Sequence, residues 1–249
     1  MIAVFVFGLI IGSFLNVCIY RMPKEKSIVN PPSACPSCGK FIAWYDNIPL
    51  VSYVILGGKC RLCKGKIALR YFIVEILTAL LLTALFAGFA VTPKFFVYSL
   101  MTCGLIVAAF VDLEIQEIPD EISIGGLVAG LIFAAVFPSI LGAPTHTAGI
   151  LRSLSGAAAG AGSIFALGVV GKLMFKKEAM GFGDVKLMAM MGSILGFKCI
   201  MLTFFIAPFL GVAPGVIMKI KHGHETIPYG PFLSGAALIS LFFGDRILK

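Results

Sequence analysis

Two aspartates and four cysteines have the types and spacing to do chemistry. Asp184 stands in Gly181-Phe182-Gly183-Asp184-Val185-Lys186, where two glycines let the backbone turn tightly and be approached closely. It opens the apolar run Val185–Leu195, and Asp112 closes another, Phe95–Val111. A carboxylate at the border of an apolar helix is costly in lipid and calls for a reason. A helix N-cap accounts for Asp184 taken alone. Two carboxylates at one depth account for both. Held within a few ångströms they would share a proton, the ionised one accepting a proton from water while its partner protonates or polarises a carbonyl. The other acids nearby have simpler accounts. Asp120 and Glu121 follow Pro119 into the first turn of a helix, where the dipole favours negative charge, and Glu114 and Glu117 are expected to face water. No serine or cysteine nucleophile stands beside a histidine base. His146 has no ligand partner nearby in sequence, and His222 and His224 fall in a basic loop, so none is assigned to catalysis.

The cysteines form two knuckles, Cys35-Pro36-Ser37-Cys38 and Cys60-Arg61-Leu62-Cys63, with 21 residues between Cys38 and Cys60. Paired CxxC motifs at this separation suit a closed, tetrahedral, structural Zn²⁺ site. Gly39 and Gly65 follow the knuckles and suit tight turns around thiolates. Two disulfides are the alternative, disfavoured if the loop faces a reducing cytoplasm. Cys18, Cys103 and Cys199 lie in apolar runs and read as small buried hydrophobes.

The elements that position these groups are apolar helices. Of the 249 residues 59% are apolar and only 13% charged, about half the charged share of a soluble domain. The expected fold is all-α, a polytopic membrane bundle of about eight helices near 1–20, 71–90, 95–111, 122–141, 153–175, 185–196, 199–218 and 229–247. Residues 1–20 read as the first transmembrane helix rather than a removable signal. Residues 21–70 read as a cytoplasmic tetracysteine zinc module, and 71–249 as a seven-helix bundle carrying the aspartates. Most of the 20 Lys and Arg fall in or beside loops 21–70, 176–184 and 219–228. Lys94, Arg152, Lys198, Arg246 and Lys249 fall opposite. The positive-inside rule makes the rich side cytoplasmic, so the net charge of +8 reports topology, not a nucleic-acid partner. Glycines four apart, at Gly8/Gly12, Gly126/Gly130, Gly156/Gly160, Gly192/Gly196 and Gly211/Gly215, are expected to be helix-packing seams. Asn16 could bond across helices. Glu75, inside the second span, should face the bundle interior, with Arg70 or a backbone group as its partner.

Gly181-Phe182-Gly183-Asp184 with Lys186 resembles the GxGD signature of intramembrane aspartic proteases. Asp112 with Ile118-Pro119-Asp120, the stretch Gly12–Val17, the two knuckles and Ile227–Phe232 together resemble the bacterial type IV prepilin peptidases. The resemblance runs from the first span to the last. Presenilin-like and archaeal preflagellin peptidases share GxGD, but the latter lack the cysteine loop. The resemblance implies that Asp112 and Asp184 are the catalytic pair. It further implies an enzyme that removes the basic leader from prepilins or type II secretion pseudopilins at the cytoplasmic face of the inner membrane. Such enzymes then methylate the new N-terminus with S-adenosylmethionine, an activity associated with the cytoplasmic loop; no residue here marks a site for that donor. The implied partners are prepilin or pseudopilin helices and membrane lipids. Two alternatives remain: a peptidase without methyl transfer, and a non-catalytic membrane scaffold whose zinc loop recruits cytoplasmic proteins.

Overall fold

The computed structural model describes residues 1–175, 180–222 and 228–248. Lys176, Lys177, His224, Ile227 and Lys249, on which parts of the charge, histidine and motif readings fall, lie outside the described residues. Among the described residues the regular elements are helices, joined in the cysteine loop by two isolated β-bridges. Five of these helices are long and apolar enough to cross a membrane. The chain is a multi-pass membrane protein and divides into two compact units, Met1–Val91 and Thr92–Lys249.

The first unit holds α1 (Ile2–Arg21), the short α2 (Val51–Ile55) and α3 (Leu69–Phe89). A Cβ on Gly8 would stand 2.7 Å from the Ala79 Cα, and one on Gly12 2.7 Å from the Glu75 Cα. One turn further along α1, the Asn16 amide donates to the Tyr71 carbonyl at 3.0 Å. Residues 8, 12 and 16 thus meet 79, 75 and 71, so the two helices run antiparallel in a register of one contact per turn. Backbones this close leave no room for a side chain at the glycines. Lipid offers no hydrophobic drive to helix pairing, so close van der Waals approach does the holding.

The second unit runs α4 (Pro93–Ile115), α5 (Asp120–Val136), α6 (His146–Phe175), α7 (Phe182–His222) and α8 (Gly230–Ile247). The Thr92 hydroxyl caps α4, and Pro93 occupies its first turn, where no intrahelical N–H is lost. Gln116 takes a left-handed φ of 57° and ends α4, and Pro119 precedes α5. The α6–α7 seam repeats the α1–α3 device. A Cβ on Gly156 would lie 2.1 Å from the Gly192 carbonyl oxygen, and one on Gly160 2.3 Å from that of Met188. The Ser153 hydroxyl closes the seam by donating to the Ser193 carbonyl at 2.7 Å.

Boundaries differ from the sequence reading in three places. The spans expected at 185–196 and 199–218 are one element broken at Gly196, whose φ of 76° and ψ of 173° are non-helical. The span expected to reach residue 141 ends at Val136, and Pro138–Leu141 form a 3-10 turn. The span expected to start at 153 starts at His146, which begins α6 and bonds the Ala135 carbonyl through its Nδ1 at 2.6 Å. Hydropathy alone missed that start because the first turns of α6 are polar.

Candidate active site and cysteine centre

Asp112 sits one turn before the end of α4, and Asp184 is the third residue of α7. Asp184 therefore lies inside the first helical turn rather than capping it. Both carboxylates are buried, 6% and 8% exposed, and they are close enough for the charge of Asp112 to act on Asp184. Tyr229, at the entry to α8, feels the charge of Asp184 in turn. The α8 entry holds Asp112 directly: the Gly230 N–H donates to Asp112 Oδ2 at 2.8 Å. That bond aims a helix N-terminus at the carboxylate, the usual place for negative charge. A Cβ on Gly230 would fall 2.9 Å from the same oxygen, so the close approach requires glycine.

The turn before α7 is held by the start of α5. Ile118 lies against Gly183, where a Cβ would be 3.3 Å from the Ile118 Cβ. Beyond it, Lys186 pairs with Asp120. The sequence explained Asp120 by the helix dipole alone; the ion pair to the GxGD segment is a further role that no spacing rule signals. Across the other side of α8, the Ser234 hydroxyl bonds the Leu105 carbonyl of α4 at 3.4 Å. The Thr203 hydroxyl of α7 bonds that of Ser240 at 3.0 Å.

In the first unit the four sulfurs of Cys35, Cys38, Cys60 and Cys63 lie within 4.8 Å of one another. The Cys35 and Cys63 sulfurs are 3.8 Å apart. Tetrahedral zinc with Zn–S bonds of about 2.3 Å needs sulfurs roughly 3.8 Å apart. The donor set and its span fit zinc. Each knuckle also closes on itself, Cys35 N–H to the Lys40 carbonyl at 2.9 Å and Cys60 N–H to that of Gly65 at 2.8 Å. The two glycines serve differently. Gly39 supplies a left-handed turn with φ of 70°, whereas in the second knuckle Lys64 takes that conformation at 59°. Gly65 is needed instead for close approach, since a Cβ there would be 2.9 Å from the Ser37 hydroxyl.

Burial pushes the Cys35 thiol up, but the backbone at Cys38 and Ser37 and the neighbouring thiols outweigh it and bring the group down to about 6. The Gly65 N–H draws Cys63 down, yet burial and the other three thiols carry it up to about 11. Without a cation among them the thiols do not ionise together, which is the electrostatic demand a divalent metal meets.

Two ties hold the surroundings of this centre, and the sequence signalled only the second. Arg61 grips Asp46 with both nitrogens, Nε at 2.8 Å and Nη2 at 2.6 Å, and so clamps the second knuckle to the intervening loop. Glu75 Oε2 accepts the Leu50 N–H at 2.8 Å, the backbone option of the two expected for it, with the loop as the source.

The first unit corresponds to the bacterial peptidase A24 N-terminal domain, which matches residues 6–89. The type IV leader peptidase family model matches residues 99–216 and takes in both aspartates. Relatives over nearly the whole chain agree. A prepilin leader peptidase/N-methyltransferase of Pseudomonas aeruginosa is 36% identical over 97% of this chain and 90% of its own. The chain belongs to the type IV leader peptidase family. Proteins of the same description from Aeromonas hydrophila, 33% identical over 99% of this chain and 91% of theirs, and from Neisseria gonorrhoeae, 31% over 98% and 91%, are further relatives. No solved structure matches.

Within this family assignment the two units divide the chemistry-bearing residues cleanly. The cysteines belong with the N-terminal domain, and the carboxylates with the leader peptidase domain.

Proposed function

We propose that this member of the leader peptidase family hydrolyses the leader–mature bond of a prepilin or pseudopilin with Asp112 and Asp184, and then methylates the new N-terminus. One observation carries the peptidase reading: two carboxylates from different helices are both buried, and the charge of Asp112 reaches Asp184. A pair so placed holds one proton over an accessible pH range. The ionised member accepts a proton from the attacking water, and the other protonates or polarises the scissile carbonyl. The Gly230 N–H fixes the orientation of Asp112, and Ile118 with Asp120 holds the turn that carries Asp184. Cys35, Cys38, Cys60 and Cys63 would hold a structural zinc that ties the two knuckles together. S-adenosylmethionine is the methyl donor on this reading, supported by the relatives' N-methyltransferase names. Positive-inside asymmetry supports placing both the cysteine module and the aspartates on the cytoplasmic side of the inner membrane.

The test is cleavage of a prepilin by purified Asp112→Asn, Asp184→Asn and the double variant. Asparagine keeps shape and most hydrogen bonding, so each single variant should fold and fail to cleave. The double should lose little more than either single, because groups acting as one unit are not additive. Cleavage surviving in either single variant removes that aspartate from the pair.

A further inference from the structure

A short stretch of the first unit is pinned beside the first turns of α3, a helix long and apolar enough to cross a membrane, and it turns an apolar stripe outward. Glu75 lies in the second turn of α3 and receives the Leu50 N–H; Phe72, in its first turn, meets the Tyr53 ring at 5.4 Å between centroids. Glu75 is six residues into a helix rising about 1.5 Å per residue, so these ties hold α2 within roughly 9 Å of the start of the span. Leu50 adopts a φ of 58° at that tether, a conformation unusual for a non-glycine residue and held only where surroundings demand it. α2 then places Ser52 inward, accepting the Ile48 N–H at 3.1 Å and donating to the Tyr45 carbonyl at 2.9 Å. The Trp44–Tyr45 turn is thereby fastened to α2.

The outward side of this element is apolar. Val51, Val54 and Ile55, spaced as one helix face, are 49%, 68% and 73% exposed, and Trp44 is 80% exposed. The surrounding loop is basic. Lys59 and Lys66 face each other across a β-bridge, with Lys24, Lys26, Lys40 and Lys64 elsewhere in 21–70. The only acids of that stretch are Glu25 and Asp46, and Asp46 is engaged by Arg61. An exposed apolar stripe with an exposed indole, carried by a lysine-rich stretch, is the pattern of an element lying in a bilayer interface.

We propose that α2 and the Trp44 turn rest in the headgroup region of an anionic phospholipid bilayer beside α3, anchoring the cysteine module to the membrane surface. Lysines supply the attraction to lipid phosphates, Val51, Val54 and Ile55 the apolar insertion, and Glu75 sets the depth. This anchoring does not depend on the identity of the reaction.

Trp44 is the only tryptophan of the chain, so intrinsic fluorescence reads the site directly in the full-length protein. The protein would be placed in nanodiscs of phosphatidylglycerol or phosphatidylcholine, with and without brominated acyl chains. The expected result is blue-shifted emission quenched by the brominated lipid, more strongly in phosphatidylglycerol discs. Val54→Asp with Ile55→Asp, at positions exposed in the fold, should shift the emission red and remove that quenching while helical content stays the same. Absence of bromolipid quenching in both discs overturns the proposal, whether the ring proves open to aqueous acrylamide or covered by other protein. Equal quenching in the two lipids overturns the choice of an anionic surface. Quenching that survives the double substitution overturns the assignment to the α2 stripe.

Discussion

The cysteine centre and the aspartate site are two solutions to the same problem, holding reactive side chains together in a membrane protein. At the cysteine centre each pair is three residues apart, and each knuckle closes by its own backbone hydrogen bonds. Only one long-range contact is needed, that between the two knuckles, and the Arg61–Asp46 pair supports it. At the aspartate site nothing is local. Asp112 ends α4, Asp184 begins α7, and the N–H that orients Asp112 comes from α8. The first arrangement rests on short turns and a cluster of four thiols that fits a metal; the second depends on the packing of three helices. Damage should therefore spread differently from the two places.

The largest effect short of removing an aspartate is expected from Gly230→Ala. Its three nearest neighbours are all atoms of Asp112, so the new methyl displaces that carboxylate and little else. A displacement approaching 1 Å costs about 10²-fold in rate. Cleavage kinetics should show that loss with the helical content and thermal transition near those of the parent. The same change added to Asp112→Asn should do no further harm. If Gly230→Ala cleaves at the parental rate, the α8 entry does not position the pair.

Cys60→Ser tests the other pole. It removes one of the four thiolates a structural zinc needs, and in small metal modules metal binding supplies much of the folding free energy. Elemental analysis should find the zinc lost and limited proteolysis should cut within 21–70. Because the aspartates belong to the other compact unit, methyl transfer should fall further than prepilin cleavage. Equal loss of both activities in a folded protein would break the contrast between the two sites.

Glu75→Leu should act at intermediate scale and locally. The Leu50 N–H, which is only half-buried, loses its acceptor, a cost toward the lower end of the about 1–3 kcal/mol of a fully buried donor. Hydrogen exchange in 50–55 should quicken while the α1–α3 helices stay protected. Glu75→Gln, which keeps an acceptor oxygen, should restore most of the protection.

The smallest effect is expected at Asp120→Asn. The Asp120 side chain is 59% exposed and that of Lys186 24%, and pairs this open contribute about 0.2–1 kcal/mol. Ile118 against Gly183 remains to hold the turn, so prepilin cleavage should stay within a few-fold of the parent. A dead Asp120→Asn enzyme would mean that the ion pair, not the packing, keeps Asp184 in place.

The sequence by itself determined that the elements are apolar helices, though not all their ends, together with the glycine seams of α1 and α6 and the knuckles. Apolar length sets a membrane span, glycines four apart set a face for close approach, and CxxC sets a turn around a thiolate; each is a property of neighbouring residues. It also singled out Asp112, because a carboxylate closing an apolar run has no cheap local account, and through Asp112 it drew attention to Asp184, which a helix cap would otherwise explain. Tertiary structure alone decided the partners. That Glu75 holds Leu50, that Lys186 meets Asp120, that Arg61 clamps Asp46 and that Gly230 reaches Asp112 follow from how helices rotate and slide when they pack. Periodicity along one helix fixes which side is buried, but it carries no record of which atom of another helix that side will meet.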